Sequence, residues 1–146
     1  MASADAPADT TSAGALVATR ENGTEIARFD VPEATGWCVL WHHSVKGFEV
    51  SDCYENRGGR MVLVQSRLPD FAAGLDHIPG RGRQVSDGNG GYFILDIDEP
   101  VPGNAYVLRP GAGPVDHRLQ VGDRVVSLSA VAPRERVRIT LTRNED

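Results

Sequence analysis

The stretch Trp-His-His-Ser-Val-Lys-Gly-Phe-Glu-Val-Ser-Asp-Cys-Tyr, residues 41–54, is the densest group of reactive side chains in the chain. An imidazole and a carboxylate brought together can hold a metal, move a proton or form a buried hydrogen bond. A turn at Lys46-Gly47 pairs Val45 with Phe48, His43 with Val50, Trp41 with Asp52 and Val39 with Tyr54. Trp37, Val39, Trp41, Val45, Phe48, Val50 and Tyr54 then share one apolar face, and His43 and Asp52 lie among them. His42 and Ser44 fall on the other face with Cys38 and Cys53. A slip of one residue would mix the two sets, so the hydrophobic match specifies the sidedness. In this register His43 and Asp52 are diagonal neighbours, about 7–8 Å apart between backbones. Burying a carboxylate alone costs several kcal/mol, so the two should meet or recruit other polar groups. One reading is a structural hydrogen bond in the core; the other is a ligand, proton or metal role.

The same turn logic at Val-Gly-Asp-Arg, 121–124, pairs Val121 with Arg124, Leu119 with Val126 and His117 with Leu128, which puts His117 on an apolar face too. His43, Asp52 and His117 would supply three ligands of a zinc-like site with an open position if the two hairpins converge; no other cofactor is implied. Ser44 adjoins His43, but neighbours in a strand point to opposite faces, so it is not a nucleophile that His43 activates. No Gly-x-Ser-x-Gly elbow occurs. Arg81 and Arg83, set among glycines in Gly-Arg-Gly-Arg, can offer guanidinium forks and backbone N–H groups to a carboxylate or phosphate. Cys38 and Cys53 lie diagonally on the outer face, near or past the limit of about 7 Å for a disulfide unless a bulge brings them together.

Short alternating strands must position these groups. Val137, Ile139 and Leu141 alternate with Arg138, Thr140 and Thr142, and similar runs fall near 15–20, 24–30, 36–45, 48–56, 60–66, 91–97, 105–109, 115–121 and 124–131. Glycine-, proline- and aspartate-rich turns separate them. The pattern predicts an all-β fold, an antiparallel sandwich or partly closed barrel of about ten short strands with little or no helix. Residues 1–14 read as a disordered tail and 15–143 as a single domain; 68–83 is the longest irregular connection. The net charge of −5 and the lack of clustered cations exclude a nucleic-acid partner. Lys46 is the only lysine, so the chain is acidic yet arginine-rich. No stretch approaches the roughly 18 apolar residues of a transmembrane segment, and the start shows no signal peptide.

An aromatic-flanked His43-Ser44-Val45 is followed by Val-Ser-Asp-Cys-Tyr, then by Gly-Gly-Arg-Met-Val-Leu-Val-Gln-Ser-Arg-Leu-Pro-Asp-Phe-Ala-Ala-Gly-Leu, Gly-Gly-Tyr-Phe and Val-Asp-His-Arg-Leu-Gln-Val-Gly-Asp-Arg-Val-Val-Ser-Leu-Ser. Over about residues 15–142 the chain resembles domain-of-unknown-function family 1850, whose genes commonly adjoin TRAP transporters of the TAXI type. It departs from the family at Asp52, where glutamate is more usual, and at Asp76 and His77, where smaller or apolar residues are expected. The resemblance implies a non-enzymatic, extracytoplasmic or membrane-tethered accessory domain in organic-acid uptake. Its expected partners are the TRAP transporter components or their binding protein, with His43, Ser44 and Asp52 as the polar site. The alternative is a small-molecule or metal-binding module that uses the buried His/Asp cluster.

Overall fold

The computed structural model describes residues 14–43, 48–69 and 82–143. Among them twelve strands form two open antiparallel sheets packed face to face, which makes the fold a sandwich and not a closed barrel. The smaller sheet orders β9 (Ala105–Leu108), β12 (Val137–Arg143), β1 (Gly14–Thr19) and β2 (Glu25–Asp30). The larger runs β11 (Arg124–Ser127), β10 (Arg118–Val121), β3 (Gly36–His42), β4 (Glu49–Arg57), β5 (Arg60–Pro69), β7 (Gly91–Leu95) and β6 (Arg83–Ser86), with β8 (Glu99–Pro100) also on β5.

Period-two alternation builds the core. Leu16, Ala18 and Phe29 from β1 and β2, and Val137, Ile139 and Leu141 from β12, are buried against Trp37, Val39, Met61 and Leu119 of the larger sheet. Fully burying one such aliphatic side chain contributes about 1.5–3 kcal/mol. Asn56 is a fully buried polar residue between the sheets. Its Nδ2 donates to the Val31 carbonyl at 2.8 Å and its Oδ1 accepts from the Gly59 N–H at 2.8 Å. Gly58 and Gly59, with φ of 65° and 86°, close the β4–β5 turn, which needs the left-handed region at both positions.

One expected strand gives way to a helical turn, and two strands appear that the pattern does not predict. The run expected over 124–131 ends at Ser127, whose hydroxyl accepts from the Ala130 N–H at 3.1 Å and caps a helical turn, α1 (Leu128–Val131). β6 is a wholly exposed edge strand with little apolar signal, and β8 is only two residues long; neither shows in the periodicity. Residues 1–13 of the expected tail and 70–81 of the expected 68–83 connection lie outside the described residues, while Gly14 already belongs to β1, Leu68 and Pro69 to β5 and Arg83 to β6.

Candidate functional site

The β3–β4 pairing sets the geometry of the site. Trp37 faces Tyr54, Cys38 faces Cys53, Val39 faces Asp52 and Trp41 faces Val50, and the His43 N–H donates to the Phe48 carbonyl at 2.7 Å. This is two residues away from the register expected of a Lys46-Gly47 turn. A two-residue slip returns every side chain to its original face, so hydrophobic patterning cannot detect it. The correction has two effects. His43 and Asp52 stop being diagonal neighbours, since His43 lies four residues, about 13 Å, along the strand from the position opposite Asp52. Cys38 and Cys53 become directly opposed, Cα atoms 4.1 Å apart, and form a disulfide.

The new partner of Asp52 comes from β5. Ser66 lies opposite it, and the Ser66 hydroxyl donates to Asp52 Oδ1 at 2.6 Å. One residue further, the β4–β5 ladder shifts register at Cys53/Tyr54, leaving Val64 as an extra residue on β5. The Val64 carbonyl accepts from the Ile97 N–H at 3.0 Å.

β10 brings the second histidine. It pairs with β3 through Leu119 and Val39, so His117 falls in line with Trp41, and the two rings stack with centroids 5.2 Å apart. The expected β10–β11 register is present, with Val121 opposite Arg124 and Leu119 opposite Val126, and the Leu128 N–H donates to the His117 carbonyl. From the other sheet, Tyr106 on β9 stacks on Tyr54 at 4.9 Å, and Tyr54 in turn stacks on Trp37 at 5.8 Å. Trp41, Asp52, Tyr54, Tyr106 and His117, with the aliphatic Val39 and Leu108, line a cavity of about 130 Å³ between the sheets.

Burial dominates the titration of the phenols in the cavity. Burial, and secondarily the Asp52 carboxylate, push the Tyr54 phenol well above its ordinary value. Burial also raises Tyr106, with Tyr54 and Asp52 adding to the rise and Trp37 offsetting part of it. The Tyr106 hydroxyl and the Trp37 indole N–H are buried without a well-formed hydrogen bond among the described residues. His117 is pulled below the usual imidazole value, chiefly by burial and also by Arg118, against an opposing effect of Asp116. Its Nδ1 accepts from the Gly111 N–H at 2.9 Å, which places the proton of the neutral ring on Nε2. Ser129 fixes the same segment, accepting from the His117 N–H at 2.7 Å and donating to the Gly111 carbonyl.

Of the residues singled out from the sequence, Asp52 and His117 are thus brought to one cavity. His43 is half-buried near the end of β3 and is not part of the cavity lining. Arg83 is exposed on the edge strand β6, its Nε donating to Asp96 Oδ2 at 3.0 Å. Ser44 and Arg81 lie outside the described residues. Among the described residues no three His, Cys, Asp or Glu side chains gather to hold a metal ion. Sequence reasoning missed Ser66 because the bulge at Val64 breaks the alternation that would have aligned it. It missed Tyr106 because nothing local announces which strand of the second sheet covers a site.

The family model described as a domain of unknown function, DUF1850, matches residues 38–128, more than half of the chain. The chain belongs to the DUF1850 family. That match spans β4 to β11 and most of β3, and so includes Trp41, Asp52, Tyr54, Tyr106 and His117, the polar and aromatic lining of the cavity. No curated protein and no solved structure matches the chain. No helix among the described residues of this DUF1850 protein is long and apolar enough to cross a membrane.

Proposed function

We propose that this DUF1850 protein is a non-enzymatic extracytoplasmic accessory domain of TAXI-type TRAP uptake of organic acids, acting through contacts with the transporter or its binding protein. The observation that carries the compartment is the Cys38–Cys53 disulfide, whose thiols pair directly across β3 and β4; such bonds persist where the surroundings are oxidising. The transporter association rests on the resemblance of the His43-Ser44-Val45 region and the runs that follow it. Deleting the gene should lower organic-acid uptake, and a tagged chain should co-purify with the transporter or binding protein. Unchanged uptake together with no co-purification overturns this reading.

A second reading, a small-molecule-binding module, is favoured by the cavity between the sheets. Its imidazole is suited to binding more than to proton abstraction, because the Gly111 N–H occupies the Nδ1 lone pair. A general base needs that lone pair open to substrate.

A further inference from the structure

The smaller sheet carries a second concavity, on the face turned away from the core. Arg138 on β12 lies opposite Val107 on β9 and Thr19 on β1. Its neighbours Val137 and Ile139 are buried in the core, so alternation directs Arg138 outward. The turn after β1 adds Arg20 and Glu21, and the residue before β12 adds Arg136, to a pocket of about 310 Å³. Both carboxylates near it are already engaged. Glu135 takes the Arg20 guanidinium at 2.6 and 3.3 Å, and Glu21 Oε1 accepts from the Arg136 backbone N–H at 3.2 Å. The guanidinium groups of Arg136 and Arg138 make no hydrogen bond or ion pair among the described residues.

With Arg20 balanced by Glu135, two guanidinium groups stand against the single Glu21 carboxylate, a local excess of positive charge on a chain whose net charge is −5. A guanidinium is a rigid fork whose paired N–H groups match the two oxygens of a carboxylate. Two such forks in one pocket suit a ligand with two carboxylates. Val107, 42% exposed, supplies an apolar surface in the same pocket, which a carbon chain can cover and an inorganic anion cannot use. We propose that this pocket binds a short dicarboxylate, with Arg138 and Arg136 each holding one carboxylate and Val107 against the carbon chain. The site is separate from the cavity between the sheets and needs no contact with a transporter, so it goes beyond both readings above.

Succinate, its uncharged diamide and inorganic phosphate serve as probes. Each is titrated into the full chain at constant ionic strength, because exposed charges are screened by salt. The Nε–H signals of Arg136 and Arg138 and the methyl signals of Val107 are followed by NMR. Succinate should shift these signals saturably, about tenfold more tightly than the diamide and more tightly than phosphate. Arg138→Gln should weaken succinate about tenfold, and Arg138→Lys, which keeps the charge and loses the fork, should restore only part of the affinity. Both arginines are exposed, so these variants should melt with the parent. Shifts that do not saturate, equal affinity for succinate and its diamide, or an affinity unchanged in Arg138→Gln overturn the site and leave two solvated arginines. Phosphate binding more tightly than succinate overturns the dicarboxylate assignment. The ranking of the three probes on the unaltered chain decides the assignment even if a variant does not fold.

Discussion

His117 and Trp41 stack at 5.2 Å because β10 lies beside β3 with Leu119 opposite Val39, which aligns the two rings on the inner face. The contact joins two segments far apart in the chain and places a neutral imidazole beside the Asp52 cavity. It also ties the charge state of His117 to the integrity of the fold.

Burial lowers the His117 value from 6.5 in the folded chain, so the unfolded chain takes up the proton more readily. The stabilisation is therefore intact above about pH 6.5 and is lost as pH falls through the lowered native value. The urea midpoint should fall between pH 7.5 and pH 5.5, and His117→Gln should flatten that dependence. A slope unchanged in the variant would show that another group is responsible. A separate loss is expected at more acid pH. The Asp87 carboxylate is held below its usual range first by the Asn89 N–H, with the Arg67 guanidinium and the Gly91 N–H adding to it. Its contribution is present above the ordinary carboxylate value and fades as pH drops below it.

The disulfide closes a 15-residue separation, for which loop entropy gives about 3 kcal/mol. The double variant Cys38→Ser, Cys53→Ser should lose about 2–4 kcal/mol in denaturant unfolding, and reduction of the unaltered chain should match it. A loss under about 1 kcal/mol would mean that strand pairing alone holds the register.

Asn56→Ala should cost about 1–3 kcal/mol, because it leaves the buried Val31 carbonyl without its donor and takes the acceptor from the part-buried Gly59 N–H. Asn56→Asp should be at least as damaging, since the Nδ2 donor to Val31 becomes an oxygen. Thermal melts of both variants would reveal a surface-like tolerance if that hydrogen-bonded bridge were dispensable.

Gly36→Ala should destabilise the β3–β4 hairpin, because an added Cβ would collide with the Tyr54 carbonyl oxygen, which as backbone has little freedom to withdraw. Gly23→Ala has open space around its Cβ, so its cost should be confined to the conformational strain of a φ of 89°. A Gly36→Ala variant as stable as the parent would show that the strands can separate locally.

The strands of this fold were largely legible, because Val137, Ile139 and Leu141 or Leu119 and Val126 carry a signal with the period of the pleat. The Trp37-to-Tyr54 face was legible for the same reason. What escaped was a shift by two residues, to which that period is blind and which separated His43 from Asp52, and a bulge at Val64, which set Ser66 opposite Asp52. The disulfide was undecided in the sequence for the same reason, since the cysteines oppose each other in only one of the two registers. His117 was recognised as facing inward, but its partner Trp41 was not, because strand order is set by which edges meet and not by any local pattern.

The family-matched segment, 38–128, supplies nearly all of the larger sheet, whereas β1, β2 and β12 lie outside it. Those three strands carry Leu16, Phe29, Val137, Ile139 and Leu141, the apolar lid over Val39, Met61 and Leu119. A fragment trimmed to the matched borders would bare a greasy slab and self-associate. The sequences near the two chain ends thus act as a clasp, closing in space what the most recognisable stretch cannot shield alone.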